Sequence, residues 1–354
     1  MFGSLFRRSH SNKFVGVDIG SSSIKVVQLS RQKGVISLDT FGEIALGPYA
    51  GKEIGHSVRL DTPQYAEALR DLLRESQVDA RTAGLSIPLK SSLVFNMKMP
   101  KMSDSKLDEM VRLEARRYIP VSVSEVSLDW SIIPNLNNDG EKDNFQTIMV
   151  VAIHKDTLNK FKEIADQAKL DLQFLEIETF STIRSVLRHE NNSSAIIDIG
   201  ASITKIYIIE YGIVQKSQVI PVGSQNMIKS LETQRKLSAI GEDLNIAQAE
   251  ELQRQIEESQ RIPVDLDRIL TEVKKIILSY QKSNRKNIEE VILTGGGSIL
   301  KGVMPYVVES LETEVSIAHP FNKVDTPAFL EDTLRDAGPE FSVAIGLGMR
   351  GLDS

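Results

Sequence analysis

Two segments of the chain place an aspartate, a glycine and a run of small residues directly after a β-branched run. The first reads FVGVDIGSSSIKVVQL over residues 14–29, with Asp18 at the turn. The second reads SAIIDIGASITKIYIIE over residues 194–210, with Asp198 in the same place, 180 positions further on. Chance produces one such turn easily but two in matching contexts much less readily. We therefore interpret the pair as an internal repeat of two strand-turn-strand units.

Turns of this kind suit the binding of phosphate groups. Gly and Ser permit a tight turn in which several backbone N–H groups point the same way, and such a concavity binds anions. A carboxylate 4 Å from a phosphate charge costs about 4 kcal/mol at an effective dielectric constant of ~20. The two aspartates therefore predict a Mg²⁺ ion between them and a polyphosphate, held largely through water. Lys25 and Lys205, seven residues after each aspartate, add positive charge.

A third glycine-rich segment follows a predicted buried strand at residues 290–294. It is the run Gly295-Gly296-Gly297-Ser298. Three glycines in succession let backbone lie directly against a flat base or a sugar, which side chains would prevent. We interpret the segment as a loop that contacts a nucleotide, with a plain strand-to-helix turn as the alternative.

Composition excludes several functions. The chain has 354 residues with 41% hydrophobic side chains, enough for two to three folded domains at roughly 150 residues each. Its 42 basic and 48 acidic residues give a net charge of −6, which argues against nucleic-acid binding by bulk electrostatics. The absence of cysteine from the sequence excludes disulfides, cysteine-ligated zinc and thiol nucleophiles.

Other common motifs are missing from the sequence or lack their context. There is no GxxxxGK[ST] loop and no GxSxG elbow, and the five histidines lack metal-ligand spacing. Residues 346–351 match GxGxxG, but no strand follows them. Since a dinucleotide site needs a full βαβ unit, close helix packing explains these glycines better.

The sequence favours a cytoplasmic protein. No run approaches the ~20 apolar residues that span a bilayer. The first residues, MFGSLFRRSHSNK, lack the apolar core of ~7–15 residues that a signal peptide needs. We interpret this segment as a frayed terminus, with a short basic and apolar foot on a membrane or partner as the alternative.

Hydrophobic spacing divides the chain into two predicted lobes and an insertion. The insertion is predicted as a strand-helix-strand-strand-helix subdomain, and part of the second lobe as charged helices. The predicted bounds are 14–88 with 173–192 for the first lobe, 89–172 for the insertion, 193–354 for the second lobe and 224–275 for its charged helical part.

The two Asp-x-Gly turns and the triple-glycine loop resemble the actin, Hsp70 and sugar-kinase superfamily. The resemblance implies an α/β, actin-like two-lobed ATPase fold with duplicated mixed five-stranded sheets and ATP in the cleft between them. Within that superfamily, the segments DIGSSSIKVVQL, GGGSILKG and AIGLGMRG and the predicted insertion resemble PilM, the FtsA-like family of type IV pilus assembly. The similarity covers residues 14–351.

The resemblance also implies roles for individual residues. Those that match ATP-binding motifs are Asp18, Gly20, Ser21, Ser22, Lys25, Asp198, Gly200, Ser202, Glu250, Gly295, Gly296, Gly297 and Ser298, with Asp18 and Asp198 near Mg²⁺. Gln253 stands where the family's Ala-Glu-x-x-Lys helix has lysine, which weakens that contact to the nucleotide. Glu178 lies where polymerising relatives orient the attacking water, and a helix cap is the alternative. Hydrolysis is expected to be slow at most.

For function, the resemblance implies a cytoplasmic scaffold at the inner membrane. PilM-like proteins bind the short N-terminal cytoplasmic peptide of the membrane protein PilN, in a groove between the first lobe and the insertion. Pilus assembly ATPases and further copies of the chain are additional candidate partners. The alternating face of Leu93, Phe95 and Met97 is a candidate wall of that groove, with core packing as the alternative.

Three other functions stay open. A small-molecule kinase of the same superfamily needs a carboxylate base and a second pocket, for which residues 89–172 show no pattern. An FtsA-like filament tethered by an amphipathic tail is disfavoured because the chain stops at Ser354, directly after its last predicted helix. A platform of a related secretion system has nearly the same expected sequence features.

Overall fold

The computed structural model describes residues 12–133, 144–189, 192–228 and 264–353. Its first sheet has five strands in the order β3-β2-β1-β4-β8. β1, β2 and β3 form an antiparallel meander, and β4 and β8 add parallel strands beside β1. The strands are β1 (Lys13–Ile19), β2 (Ser23–Gln32), β3 (Val35–Ala45), β4 (Thr82–Ile87) and β8 (Asp171–Ile177).

The second sheet repeats this arrangement. Its order is β11-β10-β9-β12-β13, again an antiparallel meander extended by two parallel strands. The strands are β9 (Ser193–Ile199), β10 (Thr204–Glu210), β11 (Ile213–Ile220), β12 (Glu290–Thr294) and β13 (Glu314–Ile317). The predicted duplication of mixed five-stranded sheets, and with it the actin-like fold, is confirmed.

The segment between β4 and β8 forms a third sheet with the predicted element order. It contains β5 (Ser92–Pro100), α2 (Asp104–Ala115), β6 (Val126–Ile133), β7 (Phe145–His154) and α3 (Lys155–Gln167). The three strands are antiparallel in the order β5-β7-β6. One face of this inserted sheet buries Leu107 and Val111 of α2 against Ile148 and Val150. Phe95 packs in the same cluster, which supports the core interpretation of its face.

Helix α3 belongs by packing to the first sheet rather than to the inserted one. Its Phe161, Ile164 and Ala165 are buried in one cluster with Leu69 of α1 (Thr62–Glu75). The apolar spacing of α3 predicts a buried face but does not say which sheet covers it. We therefore propose that the insertion ends near His154 rather than at residue 172.

Five further helices complete the described fold. They are α4 (Glu178–Val186), α5 (Val264–Asn284), α6 (Val303–Leu311), α7 (Glu331–Ala337) and α8 (Ser342–Asp353). Helix α8 crosses back to the first sheet, where Ile345 and Leu347 pack with Leu29. A Cβ on Gly346 would overlap the backbone oxygen of Ser181 in α4, so the close approach requires glycine there. Helix packing is thus the reason for the GxGxxG match. Because α8 covers the first sheet, we propose that the second lobe ends before Ser342.

Candidate functional site

A cleft of about 760 Å³ lies between the first and second sheets. It brings together eleven of the fourteen residues that the resemblance assigned to ATP or to the attacking water, which are Asp18, Gly20, Ser21, Ser22, Lys25, Glu178, Asp198, Gly200, Ser202, Gly295 and Gly296. Lys205 lines the cleft as well. Gly297 and Ser298 lie behind the lining, where Gly297 N–H donates to the backbone oxygen of Ile199 (2.8 Å). Glu250, with the helix motif around it, lies outside the described residues.

The two Asp-x-Gly turns have the same backbone geometry. In the first, Gly20 N–H donates to the Ser23 carbonyl at 3.0 Å, and in the second Gly200 N–H donates to the Ile203 carbonyl at 3.0 Å. Each aspartate faces the lysine seven residues later in the antiparallel register. The hydroxyl of Ser202 donates to the Ser21 hydroxyl at 3.0 Å, which links the two turns directly across the cleft.

The carboxylate of Asp18 lies at the base of the first turn, and no lysine of the described residues is in hydrogen-bond contact with it. Its Oδ1 accepts from the Ser86 hydroxyl of β4 at 2.7 Å. Burial, and then the negative charge of Glu178, raises the pKa of Asp18 to about 6. The ionised form is therefore destabilised in the cleft, and an added cation beside Asp18 would stabilise it.

The second turn carries its own cation. The Nζ atom of Lys205 lies 2.7 Å from Oδ2 of Asp198 and 2.7 Å from Oε2 of Glu178. All three side chains are at most 10% exposed. Burial alone would lower the pKa of Lys205, but the Asp198 and Glu178 carboxylates raise it well above its ordinary value. Lys205 is therefore a permanent cation that neutralises one of its two partners.

Glu178 is the first residue of α4 and points away from its own helix. Its Oε1 accepts the backbone N–H of Leu89 at 2.7 Å, and its Oε2 accepts from Lys205. The residue before α4 is Ile177, with no side-chain hydrogen bond to the helix start, so the helix-cap interpretation of Glu178 is wrong. A water-orienting role is compatible with its place in the cleft but stays a prediction.

Lys25 has different partners from Lys205. Its Nζ lies 2.7 Å from Glu43 of β3 and 3.4 Å from Glu340, which precedes α8. Burial and the neighbouring Glu43 raise the pKa of Glu340, although Lys25 acts in the opposite direction. Sequence reasoning missed both carboxylates. Glu43 faces Lys25 across β2 and β3, so the strand register would have identified it, whereas no sequence signal pointed to Glu340.

The triple-glycine loop closes the second-sheet side of the cleft. Gly295 has a left-handed backbone (φ +79°), and a Cβ there would overlap Oδ1 of Asp198. Its N–H donates to the Pro339 carbonyl at 3.0 Å. Glycine at this position thus lets the loop pass directly over the second turn. Gly296 lines the cleft next to Glu340, and this leaves bare backbone for a ligand to contact.

The charges at the two turns favour a nucleotide that brings a cation with it. At the two turns, Asp18, Asp198 and Glu178 against Lys205 leave two negative charges, since Lys25 faces two carboxylates of its own. The cleft is also lined by three further basic side chains, which are Arg59, Lys90 and Lys160. A polyphosphate adds more negative charge, whereas one Mg²⁺ supplies two positive ones. Across the described residues, no cluster of three or more His, Asp or Glu side chains forms a metal cage. The donor set thus suits Mg²⁺ held mainly by phosphate and water.

A second cavity, here called the side groove, has a volume of about 520 Å³. Its walls come from β7 of the inserted sheet, from α4 and from the turn between β10 and β11. The apolar wall residues are Met149, Phe180, Ile183, Leu187, Ile213 and Val214. Arg188 and Lys323 are exposed at its rim. Of the two interpretations of Leu93, Phe95 and Met97, a groove wall or core packing, the structure supports core packing, because all three pack in the cluster with α2.

The duplicated sheets with a cleft between them define an actin-like protein. Among solved structures, the chain resembles a PilM-PilN type IV pilus biogenesis complex, with a TM-score of 0.78 and 22% identity over 98% of this chain and 100% of that one. It also resembles ethanolamine utilization protein EutJ from Carboxydothermus hydrogenoformans, with a TM-score of 0.54 and 16% identity over 97% and 92% of the two chains. These likenesses establish the fold.

Sequence comparison gives the family. The family described as type IV pilus assembly protein PilM matches residues 16–352, nearly the whole chain. The chain therefore belongs to the PilM family of actin-like pilus assembly proteins, as its motifs predicted. The cell division protein FtsA of Streptococcus pneumoniae is 22% identical over 89% of this chain and 78% of its own. In the parts that the structure describes, no helix is long and apolar enough to cross a membrane.

Proposed function

We propose that the protein is a cytoplasmic ATP-binding scaffold of the type IV pilus assembly platform, held at the inner membrane by a PilN-like partner. The observation that carries this proposal is the pair of Asp-x-Gly turns facing one another across the cleft in a member of the PilM family. A duplicated anion-binding turn suits the phosphates of such a ligand, and the nearby glycine loop leaves backbone free to contact its base.

The proposed nucleotide site uses the cleft residues in separate roles. The backbone N–H groups around Ser21 and Ser22, and those around Ser202, would bind phosphates, and Gly295 and Gly296 would lie against the adenosine. Asp18 and Asp198 would hold the water shell of Mg²⁺, and the ion would offset the charge between carboxylates and phosphates. Lys25 and Lys205 each form an ion pair with a carboxylate. They would therefore attract the phosphates mainly by long-range electrostatics rather than by direct hydrogen bonds.

The partner part of the proposal draws on the solved PilM-PilN complex. We place the N-terminal cytoplasmic peptide of a PilN-like protein in the side groove. This groove is apolar along its walls, and Arg188 and Lys323 at its rim would attract acidic groups on the peptide. Its walls include the inserted sheet and α4, which supports a match to the groove that the resemblance implies, and also the turn between β10 and β11 of the second sheet.

A filament-forming function is the second candidate, because FtsA is among the relatives. Such a protein would sediment on addition of Mg-ATP, whereas a scaffold would stay in solution without its partner. Glu178, the residue that the resemblance places near the attacking water, already has hydrogen-bond partners on both carboxylate oxygens. We therefore propose slow turnover at most.

Thermal unfolding with Mg-ATP and with a synthetic PilN-like N-terminal peptide tests this function. Each ligand at ~100 times its Kd should stabilise the native state by about 2.7 kcal/mol. In Asp18→Ala the shift with Mg-ATP should disappear while the shift with the peptide persists. If Mg-ATP stabilises the wild type and the peptide does not, the filament function gains support. If neither ligand stabilises it, the nucleotide site itself is refuted.

A further inference from the structure

On the first-sheet side, the cleft extends beyond the two turns into a part here called the basic pocket. Helices α1 and α3, the segment before α1 and the loop after β4 form its walls. Its apolar side consists of three buried side chains, which are Tyr65, Phe161 and Ile164. Its charged side consists of Arg59 before α1, Lys90 after β4 and Lys160 on α3. The pocket therefore combines a firm apolar wall with three cations.

The cations of the basic pocket lack acidic partners. The ion pairs that the described residues form along the cleft involve Lys25 and Lys205, and none of them involves Arg59, Lys90 or Lys160. Arg59 and Lys90 are exposed at the mouth of the pocket, whereas Lys160 is half-buried. This part of the cleft thus has an excess of positive charge, which is the opposite of the charge balance at the two turns.

The side chain of Lys160 is held in place without a counter-ion. Its Nζ lies 4.6 Å from the centre of the Tyr65 ring and donates to the backbone oxygen of Leu60 at 3.3 Å. Burial, followed by the positive charge of Arg59, lowers the pKa of Lys160. Asp61 acts in the opposite direction, but its carboxylate caps the start of α1. An anion in the pocket would stabilise the charged form of this lysine.

The internal repeat makes the basic pocket the counterpart of the glycine-loop end of the cleft. β4 pairs in parallel with β1 in the first sheet, as β12 pairs with β9 in the second. The loops after these strands, residues 88–91 and 295–298, therefore occupy equivalent places. Two copies that meet through the same turn are related by an approximate two-fold rotation, which directs the two loops toward opposite ends of the cleft. One end offers bare backbone at Gly295 and Gly296, and the other offers cations.

We propose that the basic pocket binds a phosphoryl group, with Arg59 and Lys160 as its ligands and Lys90 at its edge. A guanidinium can donate two parallel N–H bonds to phosphate oxygens, and an ammonium adds a compact charge. Three cations match the double charge of a phosphate better than the single charge of a carboxylate. The phosphoryl group is either the last phosphate of the nucleotide, which rests on the proposed function, or a separate small phosphate compound, which does not.

Titrations of the full chain distinguish the two sources. Calorimetry measures the Kd of Mg-ADP and of a non-hydrolysable Mg-ATP analogue, and phosphorus NMR measures the Kd of inorganic phosphate in protein saturated with Mg-ADP. If the pocket takes the last phosphate of the nucleotide, the analogue should bind at least about tenfold more tightly than ADP. If it takes a separate compound, inorganic phosphate should bind the ADP complex with a millimolar or lower Kd.

The decisive variant is Arg59→Gln with Lys160→Gln, which removes two of the three cations and keeps polar side chains. It should weaken binding of the analogue or of phosphate by about tenfold and change the Kd of ADP by less than about twofold. Arg59→Gln alone, at an exposed position, is the second variant, and thermal unfolding checks the fold of both. The matched control is Lys155→Gln with Lys162→Gln, which removes two exposed lysines of α3 that do not line the cleft.

Each outcome either identifies the source of the phosphoryl group or overturns the pocket. A loss of the preference for the analogue in the folded variants identifies the nucleotide, and weaker phosphate binding to the ADP complex identifies a separate compound. The proposal is overturned if the wild type shows neither effect, if the folded double variant keeps the wild-type values, or if the control loses as much. If the wild type binds neither ADP nor the analogue, the proposed function fails, and titration of the free protein and the same variants with phosphate still tests the pocket.

Discussion

The two Asp-x-Gly turns have the same backbone but opposite charge arrangements. In both, the aspartate ends a strand and faces a lysine seven residues on, in identical antiparallel register. In the second turn that lysine bonds its own aspartate, and Lys205 and Asp198 are both nearly inaccessible. In the first turn Lys25 pairs with Glu43 and Glu340 instead. Among the described residues, the side-chain hydrogen bond of Asp18 comes from the Ser86 hydroxyl.

This difference assigns separate tasks to the two halves of a duplicated site. The first turn is short of positive charge, and its aspartate has a raised pKa of about 6. In the second turn, the buried Lys205 already offsets carboxylate charge before any ligand binds. We therefore propose that an incoming Mg²⁺ would gain most from the Asp18 side, whereas the second turn would supply a fixed field. The predictions below test this division.

The largest effect should follow removal of the buried cation. Lys205→Met leaves Asp198 and Glu178 without their shared partner in a nearly dry site, and breaking such a pair costs about 3–5 kcal/mol of unfolding free energy. Urea unfolding followed by circular dichroism measures the loss. Lys275→Met removes a surface lysine 3.8 Å from Glu272 and should change the unfolding free energy by less than about 0.5 kcal/mol. Equal losses in the two variants would contradict the buried-cation assignment.

The two aspartates should respond to amidation with opposite signs. Asp18→Asn removes a carboxylate charge whose burial destabilises the folded state. The pKa of Asp18 is raised by about two units, which corresponds to roughly 3 kcal/mol of unfolding free energy. This variant should therefore be more stable than wild type at pH 7.5. Asp198→Asn removes a partner of Lys205 and should be less stable by about 1–3 kcal/mol.

The pH dependence of the Asp18 effect has a definite sign. Because the pKa of Asp18 is raised in the folded state, its contribution to stability is full below pH 4 and is lost as the pH rises toward 6. The advantage of Asp18→Asn should therefore shrink by about half between pH 7.5 and pH 5. Urea unfolding at both pH values measures it. A pH-independent advantage would show that Asp18 ionises normally.

The repeat could be predicted because it depends on local pattern, and the fold followed from the resemblance of the repeated motifs to a known superfamily. Asp18 and Asp198 sit at turns that alternation and small residues define, and the strands around them need no long-range information. The partner of each lysine could not be predicted in this way. Glu340 lies more than 300 residues from Lys25 and meets it only because α8 returns to the first sheet. The packing of α3 was missed for the same reason, since an apolar helix face does not identify the sheet that covers it.

Removal of the first lysine should have a smaller effect than removal of the second. Lys25→Met leaves Glu43 and Glu340 facing one another, but these carboxylates are 38% and 22% exposed, so water and a shared proton offset the loss. We expect a cost of about 1 kcal/mol at pH 7.5. The cost should fall as the pH is lowered, because Glu340, whose pKa is already raised, takes up a proton first. Urea unfolding at pH 7.5 and at pH 5.5 measures the loss of unfolding free energy at each pH. A loss as large as that of Lys205→Met would show that the two turns do not differ in this respect.

The smallest effect concerns the contact that joins the turns. Ser202 donates to Ser21 across the cleft at 3.0 Å, and a net hydrogen bond of this kind contributes about 0.5–1.5 kcal/mol. Ser21→Ala, Ser202→Ala and the double variant form a cycle whose interaction energy isolates the pair. Without ligand this energy should lie in that range. With Mg-ATP it should fall toward zero, because phosphates between the turns would separate the two hydroxyls and bond each of them independently. An interaction energy that is unchanged by Mg-ATP would mean that the ligand does not enter between the turns, and the two-sided phosphate site would then have to be abandoned.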